Sequence, residues 1–201
     1  MCCGWLSFST EQFMAVQKRL LLEQIELLRH SQIGKKVLNS ASVRNVDDFR
    51  RRVPLTTYAD YIPELSDKRE DALPVKPAFW VHSSGRSGEY PCKWIPITPR
   101  FAEEMSTVMY GLGIISGCDG WGDVSHLMEN PRLVYTVAPR PYMSGAMASM
   151  LGLQSPVDYL PGLEESESLS FEDRIKLGFK MALSEGLDYF FGLSLVLVTV
   201  G

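Results

Sequence analysis

The stretch Phe190-Phe191-Gly192-Leu193-Ser194-Leu195-Val196-Leu197-Val198-Thr199-Val200 carries no charge and little that is polar. At about a dozen residues it falls short of the ~20 that a bilayer-spanning helix needs. Its Val and Leu content suits a strand buried on both faces, the environment of a central strand in a parallel sheet. Such a strand requires neighbours at both edges and helices above and below. The run therefore predicts an α/β sheet fold, and the chain ends directly after it.

The preceding segments agree with that fold. Ser9 followed three residues later by Gln12 is a capping-box signature, and Phe13, Val16, Leu20, Ile25 and Leu28 follow on helical spacing to about His30. Val46-Asp47-Asp48-Phe49 starts a short second helix closed by Pro54, and Thr57 to Leu65 reads as a third. Trp80-Val81 predicts a strand. Thr98-Pro99 opens a helix with proline at its first position, running through Phe101, Met105, Val108, Met109 and Leu112 toward Gly117. Arg132 to Val137 is a further strand, and Tyr142 to Leu151 is a short helix with a small-residue face. Ser170 caps a helix from Phe171 to Ser184, with Ile175, Phe179 and Leu183 inward and Gly186 as its stop. Leu163 to Ser170, rich in Glu and Ser, reads as an exposed loop. Alternation of strands and helices gives an α/β fold with a mainly parallel sheet and flanking helices.

Composition excludes several classes of function. With 201 residues, 45% apolar and 22% charged, the chain can build one substantial core, or one domain and a small subdomain. A net charge of −4 argues against a nucleic-acid partner. Lys35-Lys36 and Arg50-Arg51-Arg52 read as solvated helix faces. The cysteines Cys2, Cys3, Cys92 and Cys118 form no C-x-x-C, which suits a reduced, cytoplasmic compartment. The first residues lack the basic and apolar regions of an export signal, and no membrane role is expected. His30, His82 and His126 are too far apart for a zinc site. The segment from Gly117 to Asp123 lacks the order of a calcium loop and reads as a helix-exit turn. No metal-ligating residue is assigned.

Between the apolar runs Ala78-Phe79-Trp80-Val81 and Trp94-Ile95-Pro96-Ile97 lies His82-Ser83-Ser84-Gly85-Arg86-Ser87-Gly88-Glu89-Tyr90-Pro91-Cys92-Lys93. Glycines let a backbone approach an anion, and consecutive N–H groups with serine hydroxyls and a lysine can hold phosphate oxygens. The same composition also describes a strand–turn–strand with no ligand. The spacing matches neither a Walker A loop nor a dinucleotide fingerprint. Without G-x-S-x-G, neither Ser83 nor Ser87 reads as a hydrolase nucleophile, and His82 reads as a strand end rather than a base.

Ser83-Ser84-Gly85-x-Ser87-Gly88, with Lys93 and Pro96, resembles the phosphate-binding motif of adenylate-forming enzymes. The nearest variant is that of the acyl-acid amido synthetases, the auxin-conjugating family named after the auxin-responsive promoter. Three further blocks are similar and in the same order: the lead-in from Phe49 to Tyr61, Tyr135 to Gly145, and Glu185 to Gly192. The resemblance runs from about Gln17 to the end. Arg86 departs from the family's threonine, and Tyr90-Pro91-Cys92 lengthens the spacing from Gly88 to Lys93.

The resemblance implies a helical lead-in at about 9–66, a phosphate loop at 82–96 and an α/β segment at 97–201, together the incomplete N-terminal part of an adenylate-forming large domain. The nucleotide motifs and lid that the family carries later are not found, so the chain reads as a fragment, inactive alone, whose partner is the missing C-terminal half. The implied reaction activates a small carboxylic acid with ATP and Mg²⁺ as an acyl-adenylate, then transfers it to an amine or thiol. Ser83, Ser84, Gly85, Arg86, Ser87, Gly88 and Lys93 would bind the phosphates of ATP. Met105, Met109, Tyr142 and Ser144 would line the acyl pocket, and no catalytic residue is named. Two other readings stand beside this one: a phenylacetate-type acyl-CoA ligase, whose loop usually carries Thr-Thr-Gly, and a non-catalytic nucleotide- or partner-binding module.

Overall fold

In the computed structural model, which describes residues 7–38, 42–83, 85, 90–120, 122–123, 125, 130–154 and 156–200, a reciprocal cap opens the first helix. The Gln12 N–H donates to Ser9 Oγ at 3.3 Å, and the Gln12 side chain accepts from the Ser9 N–H at 2.8 Å. This starts α1 (Thr10–Arg29), which ends at His30. Chain contacts divide the protein into two units, Met1–Pro77 and Ala78–Gly201.

In the first unit Ser31 turns the chain directly into α2 (Gln32–Leu38), its Oγ accepting from the Gly34 N–H at 2.9 Å. A side chain at Gly34 would strike the Leu28 carbonyl, so glycine there lets the two helices meet. Asn45 caps α3 (Val46–Arg52). The core of this unit is Ile25, Leu38 and Val43, with Leu21, Leu28 and Phe49 packed on it. The segment 57–65, expected as a helix, forms only a 3-10 turn at Tyr58–Tyr61. It is started by Asp60, which accepts from the Thr57 N–H. Pro63 removes the N–H that a continuing helix would use.

The second unit begins with an antiparallel hairpin of β1 (Phe79–His82) and β2 (Trp94–Ile97). Thr98 then caps α4 (Pro99–Gly117). Three parallel strands form the sheet, β3 (Arg132–Thr136) lying between β4 (Asp158–Leu160) and β5 (Tyr189–Gly192). α5 (Met143–Leu151) follows β3 and packs on α4 and β1, with Gly145, Ala146 and Ala148 buried. Ala146 and Met150 join Val81, Ile97 and Ala102 in one buried cluster. α7 (Phe171–Glu185), capped by Ser170 and ended by Gly186 at φ +94°, covers β3 and β4. The α/β fold with a small parallel sheet and flanking helices is as the sequence predicts.

Three local expectations are corrected. The segment from Leu163 to Ser170 is not an exposed loop: it contains α6 (Leu163–Ser168), anchored by fully buried Ser166, whose hydroxyl donates to the Pro161 carbonyl. In α7 the most buried positions are Arg174 and Gly178; Ile175 and Phe179 are half-buried as expected, Phe179 with its ring 6.1 Å from that of Phe190, while Leu183 is 89% exposed. Gly178 sets this phase, because a side chain there would meet the Leu160 carbonyl at 2.6 Å. The apolar run at the C-terminus is not one strand. β5 stops at Gly192, opposite Thr136 where β3 also stops, and α8 (Ser194–Val200) follows with Leu195 and Val198 mostly exposed. With β3 finished, no ladder remains for a longer strand, and the backbone satisfies itself as a helix.

Candidate functional site

The hairpin loop closes at its neck through two hydrogen bonds. The Ser83 N–H donates to the Lys93 carbonyl at 3.0 Å, and the Lys93 N–H donates to Ser83 Oγ at 3.1 Å. Gly85 has φ +69°, and a side chain on it would lie 1.8 Å from the Pro91 carbonyl oxygen. Its conformational freedom is used to fold the loop back on itself. The Lys93 ammonium stands 5.7 Å from the centre of the Tyr90 ring. Ser84, Arg86, Ser87 and Gly88 lie outside the described residues.

His82 ends β1 and joins the hairpin to the segment before α5. Its N–H donates to the Pro141 carbonyl at 2.9 Å, and its ring meets Trp94 and Tyr142 edge-on, with centroids 4.8 and 4.4 Å away. Nδ1 lies 2.8 Å from the Ser83 carbonyl, which it reaches as an Nδ1–H donor. His82 is thus a strand end, as the sequence suggests, and also part of a wall.

That wall belongs to a cavity of about 690 Å³ at the carboxyl ends of β3 and β5. Ser83, Tyr142 and Ser144 line it together, and so does Thr136. In open α/β sheets this end of the strands is where ligands bind. Thr136 is fully buried and its hydroxyl has no hydrogen-bond partner among the described residues. Ser144 donates to the Ala138 carbonyl at 3.3 Å. Tyr142 occupies the N-cap of α5 without supplying a side-chain cap.

Behind the wall sits Arg174, 1% exposed. Its Nη2 donates to the Val137 carbonyl, and its guanidinium lies 5.1 Å from the Tyr135 ring and 5.3 Å from the Phe171 ring. Its Nε and Nη1 have no partner among the described residues. Burial pulls its pKa below the usual arginine value, with Tyr135 opposing. Sequence reading passed over Thr136 and Arg174. The position of Thr136 at the end of a parallel strand is a signal that could have found it; the helical phase expected for α7 hid Arg174.

The four acyl-pocket candidates do not come together. Met109 lines a second, apolar cavity of about 360 Å³ between α4, α5 and the sheet, with Leu112, Leu133 and Tyr189. Met105 packs on the core cluster of Val81 and Ile97. Only Tyr142 and Ser144 share a cavity with a phosphate-loop residue, Ser83. In the turn after α4, Asp123 accepts from the N–H groups of Asp119 and Ser125. Among the described residues no group of three His, Cys, Asp or Glu could hold a metal, and no helix is long and apolar enough to cross a membrane.

Comparison with known families matches residues 2–120 to the GH3 family N-terminal domain. No curated protein and no solved structure matches the chain.

Proposed function

The chain belongs to the GH3 family, and on that premise we propose that it is the ATP-phosphate-binding part of an enzyme that activates a carboxylic acid as an acyl-adenylate, for transfer to an amine or thiol. A carboxylate oxygen attacks the α-phosphorus of ATP and pyrophosphate leaves. The acceptor then attacks the acyl carbon and AMP leaves. Ser83, Ser84, Gly85, Arg86, Ser87, Gly88 and Lys93 would hold the β- and γ-phosphates and offset the charge that moves onto them. Mg²⁺, entering with the nucleotide, would supply charge neutralisation on the phosphates.

One observation carries the reading. The neck of the loop, Ser83, opens into the cavity at the ends of the parallel strands. Phosphates on the loop and an acid in the cavity would therefore be neighbours. Positioning of this kind is most of what adenylation asks of a protein. The Ser83 hydroxyl, which accepts from the Lys93 N–H, still has its own proton to donate to a phosphate oxygen.

Isothermal titration of the purified chain with MgATP tests it. Saturable binding is expected, at least tenfold weaker in Lys93→Ala. Unchanged affinity in that variant would remove Lys93 from the phosphate site, and no binding by the wild type would overturn the reading.

A further inference from the structure

We propose that His82 is a phosphate-binding residue whose ring takes up a proton from solvent when nucleotide binds, its Nε2–H then donating to the phosphate at the neck of the loop. This rests on the ATP-binding reading above and adds a residue, and a proton, to that site.

The tautomer of the ring is fixed by its neighbours. Nδ1 lies 2.8 Å from the Ser83 carbonyl, an acceptor that only Nδ1–H can meet. In the neutral imidazole Nε2 is then an acceptor without a proton. Lone pairs on Nε2 and on a phosphate oxygen repel each other, so Nε2 can meet a phosphate only as the donor of an imidazolium. Reversing the ring would break the bond to Ser83, and Trp94 and Tyr142 hold it edge-on from two sides. Among the described residues no protein group bonds to Nε2.

The surroundings leave that nitrogen to a ligand. His82 stands in the cavity wall beside Ser83, where the loop opens. No lysine, arginine, aspartate or glutamate lines the cavity among the described residues. Of its lining residues only His82 and Tyr142 can ionise, and a phenol does not become a cation. Trp94 and Tyr142, the side chains packed on the ring, bring neither a carboxylate nor an ammonium. Lys93 pairs with Ser83 through its backbone, and its ammonium stands 5.7 Å from the centre of the Tyr90 ring. A protonated His82 thus has no counter-ion among the described residues, and a phosphate would supply one. The same proton makes the Nδ1–H bond to the Ser83 carbonyl charge-assisted, which stiffens the neck.

The sign of the linkage follows. An anion beside the ring favours its charged form, so nucleotide binds more tightly in acid and more weakly as pH rises. Histidine is the side chain that changes charge in this range.

The test is isothermal titration of the purified chain with MgATP in two buffers of different ionisation enthalpy, which reads the protons exchanged on binding. Wild type should take up about half a proton near neutral pH and bind roughly tenfold tighter at about pH 5.5 than at about pH 8.5, the span that one pKa unit of linkage gives. His82→Gln keeps a neutral donor, so it should lose the uptake and most of the pH dependence. The nucleotide's own titration is common to both proteins and cancels in the difference. Should that variant fail to fold, imidazole NMR of the wild type reads the same linkage. The chain has three histidines, so His30→Gln and His126→Gln identify the His82 signal, which should titrate at higher pH with MgATP than without. MgATP binding without proton uptake, equal uptake in His82→Gln, or an unmoved His82 titration would each overturn the proposal and leave the ATP-binding reading standing. No MgATP binding at any pH would overturn both.

Discussion

A side chain on Gly192 would place its Cβ 1.9 Å from Thr136 Oγ1, so the glycine and the hydroxyl share one space where β5 and β3 end side by side. Gly192→Ala should therefore cost about 1–3 kcal/mol through overpacking. Thr136→Ala removes the oxygen, and the double variant should be less destabilised than the sum of the two. Urea unfolding of the four proteins measures the coupling; additive losses would mean the two residues do not compete for that space.

Gly145 is bounded by backbone rather than by a side chain. A Cβ there would lie 2.3 Å from the Pro139 carbonyl carbon and 2.5 Å from both Ala138 O and Arg140 N. No rotamer change relieves such contacts, so Gly145→Ala should fall at the upper end of about 1–3 kcal/mol. Gly120 has nothing within 4 Å of its would-be Cβ, and Gly120→Ala should change stability by less than about 0.5 kcal/mol. Thermal denaturation of the pair checks the contrast.

Arg174→Met keeps the apolar contacts with Tyr135 and Phe171 and removes two donors that have no partner. Burying an unpaired donor costs about 1–3 kcal/mol, which offsets the lost bond to the Val137 carbonyl. The melting temperature should stay level or rise. A large loss of stability would show that Arg174 is part of the fold's support rather than of its site.

Asp60 accepts from the Thr57 N–H at 2.6 Å and from the Thr57 hydroxyl at 3.1 Å. These bonds hold its carboxyl below the ordinary aspartate value. A depressed folded-state pKa stabilises above the unfolded value, ~3.9, and the stabilisation is lost as pH falls through the folded value. The stability advantage of wild type over Asp60→Asn should be full at neutral pH and should disappear in acid. Urea unfolding at several pH values measures it; a pH-independent difference would contradict the assignment.

What was legible in the sequence was local. Ser9 with Gln12, Thr98 with Pro99, and Ser170 with Gly186 each mark a helix boundary within one turn of the residues concerned, and all three helices start where they should. α2 went unread because it is short and its cap, Ser31, follows α1 almost without a break. α6 went unread because its Glu-rich composition conceals a buried serine. The C-terminal run misleads for a different reason: its strand length is set by where β3 ends, a tertiary fact absent from its own composition. The same limit applies to the site. Ser83 stands in a loop whose composition drew attention to it, while Tyr142 and Ser144 were expected only on the resemblance. Thr136 and Arg174 matter because they are buried without partners, which depends on which strands and helices come to surround them.

Carboxylate-dependent exchange of pyrophosphate into ATP requires the nucleotide and the acid to meet in one active site. For the chain combined with the C-terminal half that the resemblance implies, exchange should depend on a carboxylic acid and fall at least tenfold in Lys93→Ala. Saturable MgATP binding with no exchange for any acid tried would contradict the adenylation reading, and would leave a nucleotide-binding module without this chemistry.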